Sequence, residues 1–295
     1  MKLLTFRHNG NTYIGAICEG GGKVLKIAEV GLNFNSMQVL IQNIMDSELE
    51  LIRTATKTSE IFNTLPISDI EFLAPIRYPA RDIICLGLNY ADHIEEAARF
   101  NSKKFGINMP KAVYFSKRVH ESVAPFGKIP RHSDICDSLD YEAELALVIS
   151  KNARNVAAKD AADYIFGYTI INDITARNVQ TAHKQWYFGK SLDGFCPMGP
   201  CIATVDEIGV EPALKIQSYV NGELRQNSNT ANMIYKIPQI IEELSSAMTL
   251  QAGTIIALGT PAGVGMGFNP PKFLKSGDVI TCKIEAIGEI SNTVE

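Results

Sequence analysis

A chain of 295 residues, 46% hydrophobic and 20% charged, has ordinary globular composition and is long enough for one large domain or a small one plus a larger. A formal net charge of −4 and a pI near 5.8, with no dense Lys/Arg run, give no footing for a nucleic-acid partner. The opening MKLLTFRHNG turns polar too soon for an export signal, no apolar stretch approaches membrane-spanning length, and the six cysteines form no C-x-x-C pair, so a reduced, cytoplasmic protein with no membrane partner is expected.

In chain order, Asn9-Gly10 between LLTFRH and TYIGAI signals a hairpin, and EGGGK at 19–23 a second turn. NSMQVLIQNIMD (35–46) opens on a cap-like Asn35-Ser36 and continues as an amphipathic helix. The three prolines of 65–82 read as a surface linker, which divides the chain into a small N-terminal domain (1–74) and a larger one (75–295). After it, IICLGLNYADHIEEAARF reads as a buried strand, a turn and a helix. FGYTIINDITARNVQTAHKQW (166–186) repeats that grammar through Asn172-Asp173. A hairpin around Asn221-Gly222, a helix in IYKIPQIIEELSSAM and a glycine-heavy, strand-rich tail complete the chain. Irregular alternation of strands and helices predicts an α+β fold.

The segment DYEAELALVIS (140–150) alternates as a strand. Tyr141, Ala143, Leu145, Leu147 and Ile149 take one face, and Glu142, Glu144, Ala146 and Val148 the other. Two like charges side by side on a half-buried strand are costly without something positive between them. Asp173 closes the strand YTII, and the three carboxylates make an all-oxygen set of the kind that suits Mg²⁺ or Mn²⁺ better than Zn²⁺. The same residues are also compatible with a solvated edge strand and, for Asp173, a helix N-cap. His93 and Glu96, at i and i+3, share a helix face as in a carboxylate-oriented general base, or as an incidental surface pair. Lys190, among aromatic and apolar residues, is placed to neutralise an oxyanion or to snorkel to the surface. Arg177 and Gln180 share a helix face just after Asp173. LGTPAGVGMG (258–267) matches neither a dinucleotide fingerprint nor a P-loop, which disfavours an oxidoreductase. Its N–H groups, from Gly259 on, and the Thr260 hydroxyl can cradle a substrate carboxylate, or the loop is a plain tight turn. With no G-x-S-x-G elbow and no base beside Cys85 or Cys196, serine and thiol nucleophiles are disfavoured.

The ordered set GLNYADHIEE, DYEAELALVI, GYTIINDITARNVQ, QWYFGKSLDGFCPMGP and LGTPAGVG, followed by FLKSGDVI and IGEISNTV, closely resembles the fumarylacetoacetate hydrolase family over about 75–295. The resemblance implies a mixed β-roll catalytic domain with a small N-terminal α+β domain, usually in a homodimer. It further implies Glu142, Glu144 and Asp173 as ligands of Mg²⁺ or Mn²⁺ (Ca²⁺ in crystals), His93 and Glu96 as a catalytic dyad, and Lys190 beside the substrate oxygens. Thr260, with Gly259, would bind a carboxylate, while Arg177 and Gln180 would line the pocket. Asn178 and Leu192 depart from the residues common there, and neither touches the metal set. The segment 98–118 is expected as a lid over substrate. The reaction expected first is C–C bond hydrolysis of an acylpyruvate-type 2-oxo acid. Oxaloacetate decarboxylation or tautomerisation, and 2-oxo-enoate hydration or isomerisation, are alternatives, with a non-catalytic metal-binding protein behind them.

Overall fold

The computed structural model describes residues 1–100 and 111–295. Asn9 and Gly10 take positive φ (48° and 79°) and close the expected hairpin between Lys2–His8 and Asn11–Ile17. Lys2–His8 also pairs with Met198–Thr204, so the N-terminal strands extend the same sheet as the rest of the chain, across the boundary expected near residue 74. Glu71–Leu73 pairs with Lys2–His8 as well. Part of the presumed linker is therefore sheet.

Among the described residues this sheet has eleven strands, with Ala143–Ile149 at its centre between Ile165–Asn172 and Ile255–Ala257. A five-stranded sheet, including Lys215–Val220, Val279–Ile284 and Gly288–Val294, packs on one face of it. The period of two in 143–149 then has a direct reading. Ala143, Leu145, Leu147 and Ile149 enter the core between the sheets with Ile216, Ile280 and Ile284. Ala146 and Val148 enter a second core with Met37, Leu40, Ile41 and Ile52 of the N-terminal helices. The strand is buried on both faces, which removes the solvated edge-strand alternative for its glutamates.

The helix expected over 35–46 is two helices. Met37–Asn43 is capped by the Ser36 hydroxyl, which accepts from the Val39 N–H, and Ile44 turns extended (φ −67°, ψ 136°) before Asp46–Lys57. The helix after Asp173 is shorter than expected: Thr175–Ala176 pairs as a strand, Arg177–Ala182 is one short helix and Tyr187–Lys190 another. The Gly-Asn-rich hairpin at Asn221-Gly222 and a helix at Ile237–Ser245 form as expected. In the segment expected as a lid, Val113–Lys117 is a strand paired with Ile83–Gly87, so that part is sheet; 101–110 lies outside the described residues. No helix among the described residues is long and apolar enough to cross a membrane.

Candidate active site

Glu142 and Glu144 project from the start of the central strand, and Asp173 follows the adjacent Ile165–Asn172 strand, where its N–H donates to the Glu142 carbonyl (2.8 Å). Strand pairing therefore brings the three carboxylates together, with one oxygen of each within 4.8 Å of the others, all buried. Asp173 caps no helix; its carboxylate lies between two lysines. Lys190 Nζ donates to Glu142 Oε2 (2.6 Å) and Asp173 Oδ2 (2.7 Å), and Lys117 Nζ lies 2.8 Å from Asp173 Oδ1. Arg177 Nη2 lies 2.7 Å from Glu142 Oε1. Lys117 was not singled out from sequence. It is fully buried, donating to the Ile174 and Lys190 carbonyls.

Burial would raise the Glu142 carboxyl, but the Lys190 ammonium and the Arg177 guanidinium bring it down to about 2. Glu144 goes the other way. Burial, then the neighbouring Asp173 and Glu142 charges, push it well above the usual carboxylate range, and the Lys190 ammonium and the Gly259 N–H at 2.9 Å only partly oppose this. Counting Asp140, which pairs with Arg177 at 2.8 Å, three cations face three carboxylates, and among the described residues Glu144 is a fourth acid with no ion pair of its own. Burial alone would lower Lys190, yet Asp173 and Glu142 hold it above the ordinary lysine value. It is an ammonium, not a base. Its Nζ also lies 5.3 Å from the centre of the Phe115 ring, and Phe115 meets Trp186 edge-on (5.3 Å, 72°).

The signs have consequences for stability. Glu142, depressed in the fold, contributes stability above about pH 4.5 that is lost as pH falls towards about 2. Glu144, raised in the fold, contributes its full stability below its unfolded value and loses it as pH climbs through its folded one. An all-oxygen cluster in which one carboxyl is held above its usual range by its acidic neighbours suits a hard divalent cation that would offset the repulsion among them. Glu144→Gln is expected to raise the melting temperature of the metal-free protein at neutral pH by about 2–4 °C, the shift that roughly 1 kcal/mol produces in a large domain. The same change should abolish stabilisation by Mg²⁺, and in the unsubstituted protein that stabilisation should grow with pH. Melting curves with and without Mg²⁺ across pH check both.

His93 and Glu96 stand on the Ala91–Phe100 helix, 5% and 6% exposed, which replaces the surface-pair alternative with a buried one. His93 Nδ1 meets Glu96 Oε2 at 3.0 Å, and the Gly263 N–H donates to Glu96 Oε1 at 2.9 Å. Gly267 is needed here, since a Cβ on it would fall 1.8 Å from Glu96 Oε1. The glycine-rich loop thus cradles carboxylates, but they are the protein's own. Gly259 holds Glu144, Gly263 holds Glu96, and Gly265 and Met266 hold Asp140 (2.6 and 3.0 Å). The Thr260 hydroxyl donates to the Ala143 carbonyl (2.8 Å) and accepts from Gln226 (2.7 Å).

His93, Glu142, Glu144, Arg177, Gln180, Lys190 and Thr260 line one cavity of about 450 Å³. Leu88, Ala97, Phe115, Trp186 and Met266 supply its apolar wall, and Thr181 to Lys184 its polar rim. Cys85 and Cys196 are buried and pushed far from thiolate formation by that burial, Cys196 to about 12, in keeping with no thiol nucleophile.

The model of the fumarylacetoacetate (FAA) hydrolase C-terminal region matches residues 82–295. The chain is 46% identical over 229 residues to oxaloacetate tautomerase YisK of Bacillus subtilis (strain 168), covering 77% of this chain and 74% of that one. Its fold follows that of the fumarylacetoacetate hydrolase of psychrophilic Exiguobacterium antarcticum with a TM-score of 0.83, at 38% identity over 100% and 99% of the two chains. A maleylpyruvate hydrolase from Sphingobium sp. SYK-6, solved with manganese(II) and pyruvate, aligns at TM-score 0.76 and 28% identity, over 100% and 98%. Fold and sequence together define a mixed α+β enzyme of small molecules. The chain belongs to the fumarylacetoacetate hydrolase family.

Proposed function

We propose that this chain is a divalent-metal-dependent enzyme of small 2-oxo acids that moves a proton between carbon and oxygen, with keto–enol tautomerisation of oxaloacetate as the first candidate reaction. The observation that carries this reading is that one cavity is lined by both His93, whose Nδ1 is held by the buried Glu96, and the buried Glu142, Glu144 and Lys190. Glu142, Glu144 and Asp173 would hold Mg²⁺ or Mn²⁺, which would supply Lewis acidity at the 2-oxo group. With Glu144 ionised, a divalent ion leaves the cluster one positive charge in excess, which suits an anionic substrate.

The chain's own residues supply the rest. His93, giving its Nδ1–H to Glu96, presents Nε2 as the base that removes the proton from the carbon next to the 2-oxo group. Glu96 stabilises the resulting imidazolium, which returns the proton to oxygen in one direction and to carbon in the other. Lys190 faces the charge that develops on the oxygen, while Arg177 and Gln180 hold the substrate carboxylate. The 46% identity to an oxaloacetate tautomerase favours this reaction over C–C hydrolysis. Hydrolysis of an acylpyruvate stays as the second reading, supported by the likeness to the maleylpyruvate hydrolase, and would use the same dyad to activate water. A homodimer belongs to the same proposal.

The test follows the ultraviolet absorbance of enol-oxaloacetate, and in parallel a panel of acylpyruvates, with Mg²⁺, Mn²⁺ and a chelator. Metal-dependent acceleration of the oxaloacetate equilibrium beyond the buffer rate is expected. Turnover of acylpyruvates alone would move the reading to hydrolysis, and turnover of neither would overturn it.

A further inference from the structure

One carboxylate ties the two halves of this cavity together. Asp140 is fully buried, and four donors converge on its two oxygens: Tyr141 N–H (2.9 Å) and Gly265 N–H (2.6 Å) on Oδ1, Arg177 Nε (2.8 Å) and Met266 N–H (3.0 Å) on Oδ2. A side chain that only balanced charge would need Arg177 alone. The two loop N–H groups sit within three residues of Gly263, whose own N–H fixes Glu96 Oε1. Tyr141, next in sequence, grips the same loop by donating its hydroxyl to the Gly263 carbonyl (2.8 Å). On the other side, holding Arg177 by Nε aims its Nη2 at Glu142 Oε1 (2.7 Å) and its Nη1 at Gln180 Oε1 (3.1 Å).

We propose, resting on the function proposed above, that Asp140 is a positioning residue that sets the His93–Glu96 dyad through the 263–266 loop and the Arg177–Glu142 pair through the guanidinium. Only an ionised carboxylate presents acceptors on both sides. An asparagine would turn its NH₂ towards either Arg177 and Met266 or Tyr141 and Gly265, placing donors against donors. The loop then loses its anchor, and Glu96 loses the donor that fixes which oxygen faces His93.

The test reads the His93 ring nitrogens by NMR at mildly alkaline pH, which needs no substrate. The unsubstituted protein is expected to carry its hydrogen on Nδ1 with Nε2 bare. Asp140→Asn, folded by its melting curve, should show an averaged mixture of tautomers. A folded Asp140→Asn protein with the pure Nδ1–H form overturns the proposal. Should that variant not fold, Gly265→Ala replaces it: its Cβ would meet Asp140 Oδ1 at 2.6 Å, disturbing the loop while all charges remain. The kinetic arm is a double-mutant cycle. Asp140→Asn should lower kcat by about 10²-fold with a smaller change in KM, and should lose part of that effect in a Glu96→Gln background, the part that remains being the Arg177–Glu142 arm. Equal losses in both backgrounds mean that Asp140 does not act through the dyad and also overturn the proposal. If the parent protein turns over no 2-oxo acid, the proposed function fails while the NMR arm still decides Asp140.

Discussion

His93→Ala is expected to lower kcat by about 10²–10⁴-fold, the range that a positioned general base contributes. The ring lies on the cavity wall with Nδ1 committed to Glu96, so its only free nitrogen faces the substrate space. The lost contacts are few, because the helix is held to the glycine-rich loop by Glu96 itself and by packing of Ile94 and Ala97 against Val264 and Met266. The melting temperature should fall by several degrees, since Glu96 Oε2 loses its buried partner at a cost of about 1–3 kcal/mol, while its rise with Mg²⁺ should change little. Steady-state kinetics beside melting curves check this. Activity within a few-fold of the parent would remove His93 from proton transfer, and loss of the Mg²⁺ response would mean that the substitution had damaged the carboxylate cluster instead.

Lys190→Met keeps the length of the side chain and removes its charge. Lys190 is 2% exposed and its ammonium bridges Glu142 and Asp173, so the substitution leaves two buried carboxylates facing each other. Breaking a buried pair from one side costs about 3–5 kcal/mol. The metal-free variant should melt well below the parent. Mg²⁺ should then restore more stability to it than to the parent, since a divalent cation would offset the same repulsion. Turnover should fall with it, because the charge on the substrate oxygen loses its partner. Melting curves with and without Mg²⁺ measure the first two effects, and an unchanged metal-free melt would contradict the electrostatic account of the cluster.

Local signals made much of the fold legible. Turn chemistry at Asn9-Gly10 and Asn221-Gly222, the Ser36 cap and the alternation of 141–149 all have their cause within a few residues. The break at Ile44 carries no glycine or proline to announce it, and the following helix begins at Met45 without a conventional capping residue, so it was missed. The carboxylate triad and the dyad were readable as spacings, and the family resemblance ordered them. Lys117 and Asp140 were not, for a shared reason. A lysine in YFSKR reads as exposed, and an acid opening a strand reads as a turn residue. Their burial depends on partners far along the chain: Asp173 and the 174 and 190 carbonyls for Lys117, residues 177, 265 and 266 for Asp140. The glycine-rich loop falls between. The sequence suggests N–H groups presented to a substrate carboxylate; in the fold the N–H groups of Gly259, Gly263 and Gly265 meet Glu144, Glu96 and Asp140 instead, partners that lie far along the chain.

The account stands on Glu142, Glu144 and Asp173 sharing one cation. A crystal soaked in Mn²⁺ and measured for anomalous scattering tests this most directly. One peak per chain within coordination distance of all three carboxylates, absent from the Glu144→Gln protein, is the predicted result. A manganese-soaked crystal with no peak there, and Lys190 still bridging Glu142 and Asp173, would contradict it.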